Sequence, residues 1–198
     1  MTKKYYVVWQ GREPGIYLSW EECQKQVFGH PNARYKSFKS IEEAKFAFEH
    51  PDITLEASAQ NYDDYPSYGL CVDAAYSSES KQMEYRGVIL PEKKEIFYVG
   101  PIPHATNNIG EFLAIVHALA LCNKNKWDYP IFSDSNTAIV WVLQKKANTK
   151  LQPAENNSTV FNLIQRAEKW LKENSINNQL IKWNTVKWGE IPADFNRK

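Results

Sequence analysis

A chain of 198 residues with 43% hydrophobic and 14% aromatic content has enough apolar material for one substantial domain and a small one, which excludes a disordered segment. The formal net charge of +1 excludes a polycation, so any contact with nucleic acid has to come from locally placed charge and rings. Three cysteines, Cys23, Cys71 and Cys122, without a C-x-x-C pair, argue against a disulfide or zinc framework and for a reducing compartment.

The start, MTKKYYVVWQGR, has only a short apolar run, so neither a secretory segment nor a membrane span is expected, and the protein reads as cytoplasmic. Tyr5 to Trp9 has the pattern of a strand, Gly11 to Gly15 of a tight turn, and Ile16 to Leu18 of a returning strand. Ser19 is a natural N-cap for a helix to about Phe28, with Glu22 in the capping-box place. Ala33 to Phe38 reads as a third strand and Ser40 opens a second helix through Phe48. Residues 1–50 therefore form a small β-β-α-β-α module. Its Tyr6, Trp20, Tyr35 and Lys36 are of the kinds that pack on sugars and hold phosphates, although a module this small also needs aromatic residues for its core.

Residues 51–66 have prolines, acids and no sustained periodicity, and read as a flexible linker. Residues 67–198 form the larger domain. Tyr68 to Tyr76, Gln82 to Leu90 and Glu95 to Pro101 read as three strands of an antiparallel meander. Asp73 lies inside the first, on the face of Gly69 and Cys71, where a buried carboxylate requires a cation or donors. The stretch TNNIGEFLAIVHALAL then has helical spacing, with Thr106 to Gly110 as its polar approach. Asn108-x-x-Glu111 fits a capping box, so Glu111 alone has an ordinary structural reading. Tyr129 to Phe132 is a short strand leading to Asp134, which equally could cap the helix marked by Ala138, Ile139, Trp141 and Val142. An amphipathic helix lies within residues 154–174, capped by Asn157 or Ser158, and Leu180 to Val186 is a last strand before Asp194. The order β-β-β-α-β-α-α-β is that of an α/β fold, a mixed sheet covered by helices.

Asp73, Glu111, Asp134 and Asp194 each stand where a strand ends or a helix begins, and one compact domain could bring them together. Four converging acids repel one another unless cations are bound. Mg2+ takes carboxylate, phosphate and water oxygens, and two such ions can activate water on one side of a phosphodiester and stabilise the leaving oxygen on the other.

The segments YYVVWQGREPGIYLSW and ARYKSF resemble the hybrid-binding domain at the amino terminus of type 1 ribonucleases H, and VDAAYSS, TNNIGEFLAIVHAL, FSDSNTA and WGEIPADFNRK resemble, in order, the four signature blocks of the ribonuclease H domain. Four ordered blocks with a matching module are more specific than any single motif. The resemblance implies a ribonuclease H-like mixed five-stranded sheet with flanking helices. It implies catalysis and metal binding by Asp73, Glu111, Asp134 and Asp194, with Glu190 assisting. It further implies strand contacts by Asn107, Asn108 and Asn136, and a DNA phosphate held by Thr106 and Thr185. In the first module it assigns Tyr6, Trp20, Arg34, Tyr35 and Lys36 to an RNA/DNA hybrid. The expected protein is a monomeric endonuclease that hydrolyses the RNA strand of hybrids with two Mg2+ ions, Mn2+ being an alternative, leaving 5′-phosphate and 3′-hydroxyl ends. Three departures stand out: Ser37 replaces a second lysine, Ala74-Ala75-Tyr76 replaces glycine-rich sequence, and no histidine precedes the last Asp. Two other readings remain, a hybrid- or duplex-RNA-binding protein without activity and a different metal nuclease on the same architecture, such as a DNA resolvase or integrase.

Overall fold

The structure, a computed structural model, describes residues 4–38, 40–49, 51 and 65–195. The chain divides into two compact units, Met1–Asn61 and Tyr62–Lys198. The division falls within the expected linker, of which residues 52–64 lie outside the described residues. Among the described residues no helix is long and apolar enough to cross a membrane.

The first unit has the expected element order: β1 (Tyr5–Gln10), β2 (Gly15–Tyr17), α1 (Trp20–Val27), β3 (Arg34–Phe38) and α2 (Ile41–Glu49). Its sheet runs β2-β1-β3, antiparallel throughout. Successive side chains of a strand face opposite ways, and the centre of β1 uses both. Val7 packs with Ala44 and Ala47 of α2, while Val8 packs with Cys23 and Val27 of α1. Ser19 caps α1 as expected, accepting from Glu22 N at 3.2 Å, and the Glu22 carboxylate in turn accepts from Leu18 N at 3.3 Å. Two helices thus clamp a sheet too small to bury a core alone.

In the second unit β4 (Gly69–Ser77), β5 (Gln82–Leu90) and β6 (Lys94–Pro103) form the antiparallel meander. They are followed by α3 (Asn107–Asn125), β7 (Ile131–Ser133), α4 (Asn136–Leu143), a 3-10 turn at Glu155–Asn157, α5 (Ser158–Glu173), β8 (Leu180–Lys182) and α6 (Thr185–Trp188). The sheet order is β6-β5-β4-β7-β8, with β7 and β8 parallel to β4. The mixed five-stranded sheet with flanking helices is therefore present.

The two faces of this sheet are covered differently. Leu70, Val72, Ala74, Met83 and Tyr85 pack beneath α3, α4 and α5 in the main core. Cys71, Val88, Leu90, Phe132 and Ile181 face the other way and are covered by Trp183, Ile191 and Ala193. That second cover is irregular chain, since α6 has four residues and none of them is buried. The expected strand to Val186 is correspondingly shorter: β8 ends at Lys182, and Asn184 caps α6 by accepting from Lys187 N at 3.1 Å.

Candidate active site

The capping roles open to Glu111 and Asp134 fall to other residues in the structure. The N-cap of α3 is Thr106, whose side chain accepts from Ile109 N at 3.4 Å; Asn107, Asn108 and Gly110 already belong to the helix. The expected Asn108–Glu111 capping box is therefore corrected: Glu111 lies beyond the capping position, buried at 4% exposure. Asp134 is likewise relieved of capping, because Ser135 caps α4 and accepts from Ala138 N at 3.2 Å. Short hydroxyl side chains fit these caps well, which leaves the acids to point elsewhere.

Register brings the acids together. In the parallel β4–β7 ladder Val72 pairs with Ser133, so Asp73 and Asp134 are the next residues on adjacent chains, with Asp134 at the carboxyl end of β7, where open α/β sheets form their sites. Glu111 arrives from α3 through a close approach. A β-carbon at Gly110 would lie 2.7 Å from Ala74 Cβ and 2.8 Å from Met83 Sδ, so only glycine lets the helix sit this near the sheet. Oxygens of Asp73, Glu111 and Asp134 consequently all lie within 4.8 Å of one another.

Electrostatics make this cluster unstable as three free anions. Burial, then the charges of Asp134 and Asp194, hold the Asp73 carboxyl well above the ordinary range, against an opposing hydrogen bond from the Ala74 backbone. Burial, followed by the charges of Asp73 and Asp134, pushes Glu111 in the same direction. Asn107 Nδ2 donates to Glu111 Oε1 at 3.1 Å, whereas the buried Oε2 has no conventional donor among the described residues. An orphaned carboxylate oxygen is costly, and it can be satisfied by a proton shared with Asp73 or by a cation. The donor set fits a hard divalent ion: all oxygen, and anionic.

The other expected residues are placed less uniformly. Asp194 stands outside the 4.8 Å set but close enough for its charge to act on Asp73. Glu190 is exposed and does not join the cluster. Asn107 spends its amide on Glu111, while Asn108 and Asn136 are exposed in the first turns of α3 and α4. Thr106 is the α3 cap, and Thr185 begins α6 and is exposed, so it is not the strand residue expected.

Two basic residues were missed in sequence. Lys182 Nζ donates to the Asp134 carbonyl. Arg86 donates from Nε to Ala193 O at 2.9 Å and from Nη2 to Asp194 O at 2.6 Å. These pairs are 48 to 108 residues apart, and no local pattern marks them. The available signal was register, because Arg86 lies directly across from Asp73 in the β4–β5 ladder.

In the first unit Trp20 is the centre of an exposed aromatic row. Its ring centroid is 5.7 Å from Tyr6 and 5.7 Å from Tyr35, and Trp20 and Tyr35 are 39% and 46% exposed. Strand alternation separates Lys36 from that row. Tyr35 pairs with Val8 and Lys36 with Val7, on opposite faces. Lys36 Nζ lies 6.0 Å from the Phe38 ring centre, and burial pushes its ammonium down from the ordinary lysine value. Arg34, two positions away, is exposed.

These features describe an α/β protein whose buried acidic centre lies beside β4 and the carboxyl end of β7. Residues 67–193 match the RNase H family model, and residues 4–48 match that of the ribonuclease H1 N-terminal domain. The chain belongs to the ribonuclease H family, type 1, with an amino-terminal hybrid-binding domain. Among similar proteins, Ribonuclease H of Saccharomyces cerevisiae is 48% identical over 50 residues, 25% of this chain and 14% of that protein. Human Ribonuclease H1 is 41% identical over 54 residues, 27% of this chain and 18% of that one. The matched segments thus span under a fifth of these relatives' lengths. Among solved structures, RNase H1 from Halobacterium salinarum is 17% identical, with a TM-score of 0.38 over 58% of this chain and 82% of that one. LC11-RNase H1 in complex with RNA/DNA hybrid is 19% identical, with a TM-score of 0.37 over the same shares of the two chains, 58% and 82%.

Proposed function

We propose that this protein is an endonuclease that hydrolyses the RNA strand of RNA/DNA hybrids with little sequence preference, leaving 5′-phosphate and 3′-hydroxyl ends. The observation that carries the proposal is the convergence of Asp73, Glu111 and Asp134 within 4.8 Å in a chain of this family. Asp73, Glu111, Asp134 and Asp194 would hold two Mg2+ ions, or Mn2+ in their place. Bound divalent ions supply a water nucleophile at neutral pH and charge stabilisation at the leaving oxygen.

The chain's own groups do the rest. Asn107 orients the Glu111 carboxylate through its 3.1 Å hydrogen bond. The exposed amides of Asn108 and Asn136 lie at helix starts flanking the acids, suited to hydrogen bonds with the strands. Thr106 and Thr185 are assigned to a DNA phosphate, and Glu190 to assisting product departure. Selectivity for RNA would rest on contacts to 2′-hydroxyls, which leave base edges unread. The row Tyr6-Trp20-Tyr35 would hold the hybrid by sugar stacking, with Arg34 and Lys36 proposed for phosphate contact although Lys36 is on the other face of β3, the unit acting as a second grip joined through residues 51–66. The protein is proposed to act as a cytoplasmic monomer.

The test is a substrate panel of DNA duplex, RNA duplex and RNA/DNA hybrid, with and without chelator. Cleavage of the hybrid's RNA strand alone, abolished by chelator, is the expected result. Chelator-resistant cleavage overturns the metal assignment, and preferential cleavage of DNA duplex overturns the substrate. Hybrid binding without cleavage in Mg2+ or Mn2+ identifies a binding protein instead.

A further inference from the structure

Asp194 is the one carboxylate of the four that no flanking strand or long helix holds on either side. Asp73 is fixed by a strand paired on both sides, Glu111 by a 19-residue helix, and Asp134 by the end of β7 and the capped start of α4. The segment bearing Asp194 follows a four-residue helix and has no strand partner. Its local backbone bond is Asp194 N to Ile191 O at 2.8 Å, and Ile191 and Ala193 anchor it by burial. Burial of neighbours fixes where the segment lies, and the Asp194 N–H bond holds one side of the peptide plane between residues 193 and 194; the planes on both sides of residue 194 together set the direction in which its side chain leaves the backbone.

Arg86 acts on those planes. Its fork takes two successive carbonyls, Ala193 O at 2.9 Å and Asp194 O at 2.6 Å, and its guanidinium carbon lies 4.7 Å from the centre of the Phe195 ring. The third nitrogen, Nη1, is 3.4 Å from Glu95 on β6, which holds the fork from its far side. Arginine's planar donors suit this paired contact, and the point charge of lysine does not. The root of the fork is on β5 directly opposite Asp73. One residue thus ties the position of the Asp194 backbone to the strand position of Asp73.

We propose that Arg86 is a positioning residue: by gripping the carbonyls of residues 193 and 194 it sets the direction in which Asp194 is presented to the acidic centre. The consequence for catalysis rests on the function proposed above, whereas the grip itself does not. The experiment uses the full chain with Arg86→Met and Arg86→Lys, each in Asp194 and Asp194→Asn backgrounds, and has two readouts. Amide hydrogen exchange at residues 191–195 reads the grip without activity; faster exchange at Asp194 in Arg86→Met is expected, and unchanged exchange overturns the proposal. Single-turnover hybrid cleavage reads the consequence. Arg86→Met should lose about 10–100-fold in rate and need more Mg2+ for half-maximal rate, at unchanged hybrid affinity and salt slope, with partial recovery in Arg86→Lys. In the Asp194→Asn background the same change should cost less than about 2-fold, because the two residues act as a unit. An equal loss in both backgrounds overturns the proposal, as does a change confined to affinity and salt slope, which would make Arg86 a phosphate contact. Should the wild-type chain cleave no hybrid, the proposed function fails and the exchange result alone decides the grip.

Discussion

The two units present their functional groups to opposite environments. In the first, Trp20 and Tyr35 are 39% and 46% exposed, and the row with Tyr6 stands on the surface of a small sheet. In the second, Asp73 and Glu111 are 6% and 4% exposed and lean on each other's charge. Surface stacking and phosphate contacts are individually modest, screened by salt and tolerant of small displacements. Buried charge has none of that tolerance, since each member changes the free energy of the next. The first arrangement suits the proposed holding of a duplex, and the second suits the proposed cleavage.

The contrast is broken most strongly at Asp134. Asp134→Asn keeps the shape and removes a charge from the 4.8 Å set, so hybrid cleavage in Mg2+ should fall by about 10²–10⁴-fold with hybrid affinity nearly unchanged. Undiminished cleavage would remove Asp134 from the metal ligands.

Next in size is Gly110→Ala. A β-carbon at 2.7 Å from Ala74 Cβ must push α3 off the sheet and carry Glu111 with it. Stability should drop by about 1–3 kcal/mol, and cleavage should fall by about 10²-fold, more than the loss of stability explains at 25 °C. Thermal melting alongside initial rates separates the two effects.

Trp20→Ala probes the other unit. Loss of the central ring should weaken hybrid binding by about 1–3 kcal/mol at fixed salt, while the cleavage rate at saturating hybrid stays within about 2-fold of wild type. A fall in the saturated rate equal to the fall in affinity would couple the units and blur the contrast.

A pH experiment sharpens it. Asp73 and Glu111 have carboxyls raised by burial first and by neighbouring acids second, so the metal-free folded state retains protons that the unfolded chain releases. Their favourable contribution is complete below the ordinary carboxylate range and is lost as pH rises through the raised values. Glu111→Gln removes one such group. In chelator it should therefore melt higher than wild type by about 1–3 kcal/mol equivalent at pH 8, with a smaller difference at pH 5. Equal differences at the two pH values would show that Glu111 is not strained by its charge.

The smallest effect expected is at Ser37→Lys, on the edge strand beside Tyr6. One added phosphate contact should steepen the logarithmic salt dependence of hybrid binding by about 0.9, measured as affinity at several salt concentrations, and leave the cleavage rate alone.

Much of this architecture follows from local pattern. The alternation in Gly69 to Leu90, the apolar period from Phe112 to Ala120 and the cap at Ser19 depend on neighbours a few residues apart, and the corresponding strands and helices formed within a few residues of expectation. The four acids could be singled out because a carboxylate beside apolar strand or helix sequence is conspicuous wherever the chain goes. Caps were less legible: Thr106 and Asn108 are both good N-cap types, and the choice between them decided whether Glu111 was a capping residue or a buried member of the acidic cluster.

Composition and local pattern were enough for the inventory: two modules, an α/β order of elements, four acids, and rings and cations in the first fifty residues. The geometry among them came only with folding. The pairing of Val72 with Ser133 put Asp134 beside Asp73, the missing β-carbon at Gly110 let Glu111 close in, and alternation along β3 parted Lys36 from Tyr35. Arg86 reached the carbonyl of Asp194 across 108 residues of chain. Local propensity acts through neighbours in sequence, whereas these distances are set by register and packing between segments that meet only when the chain has folded.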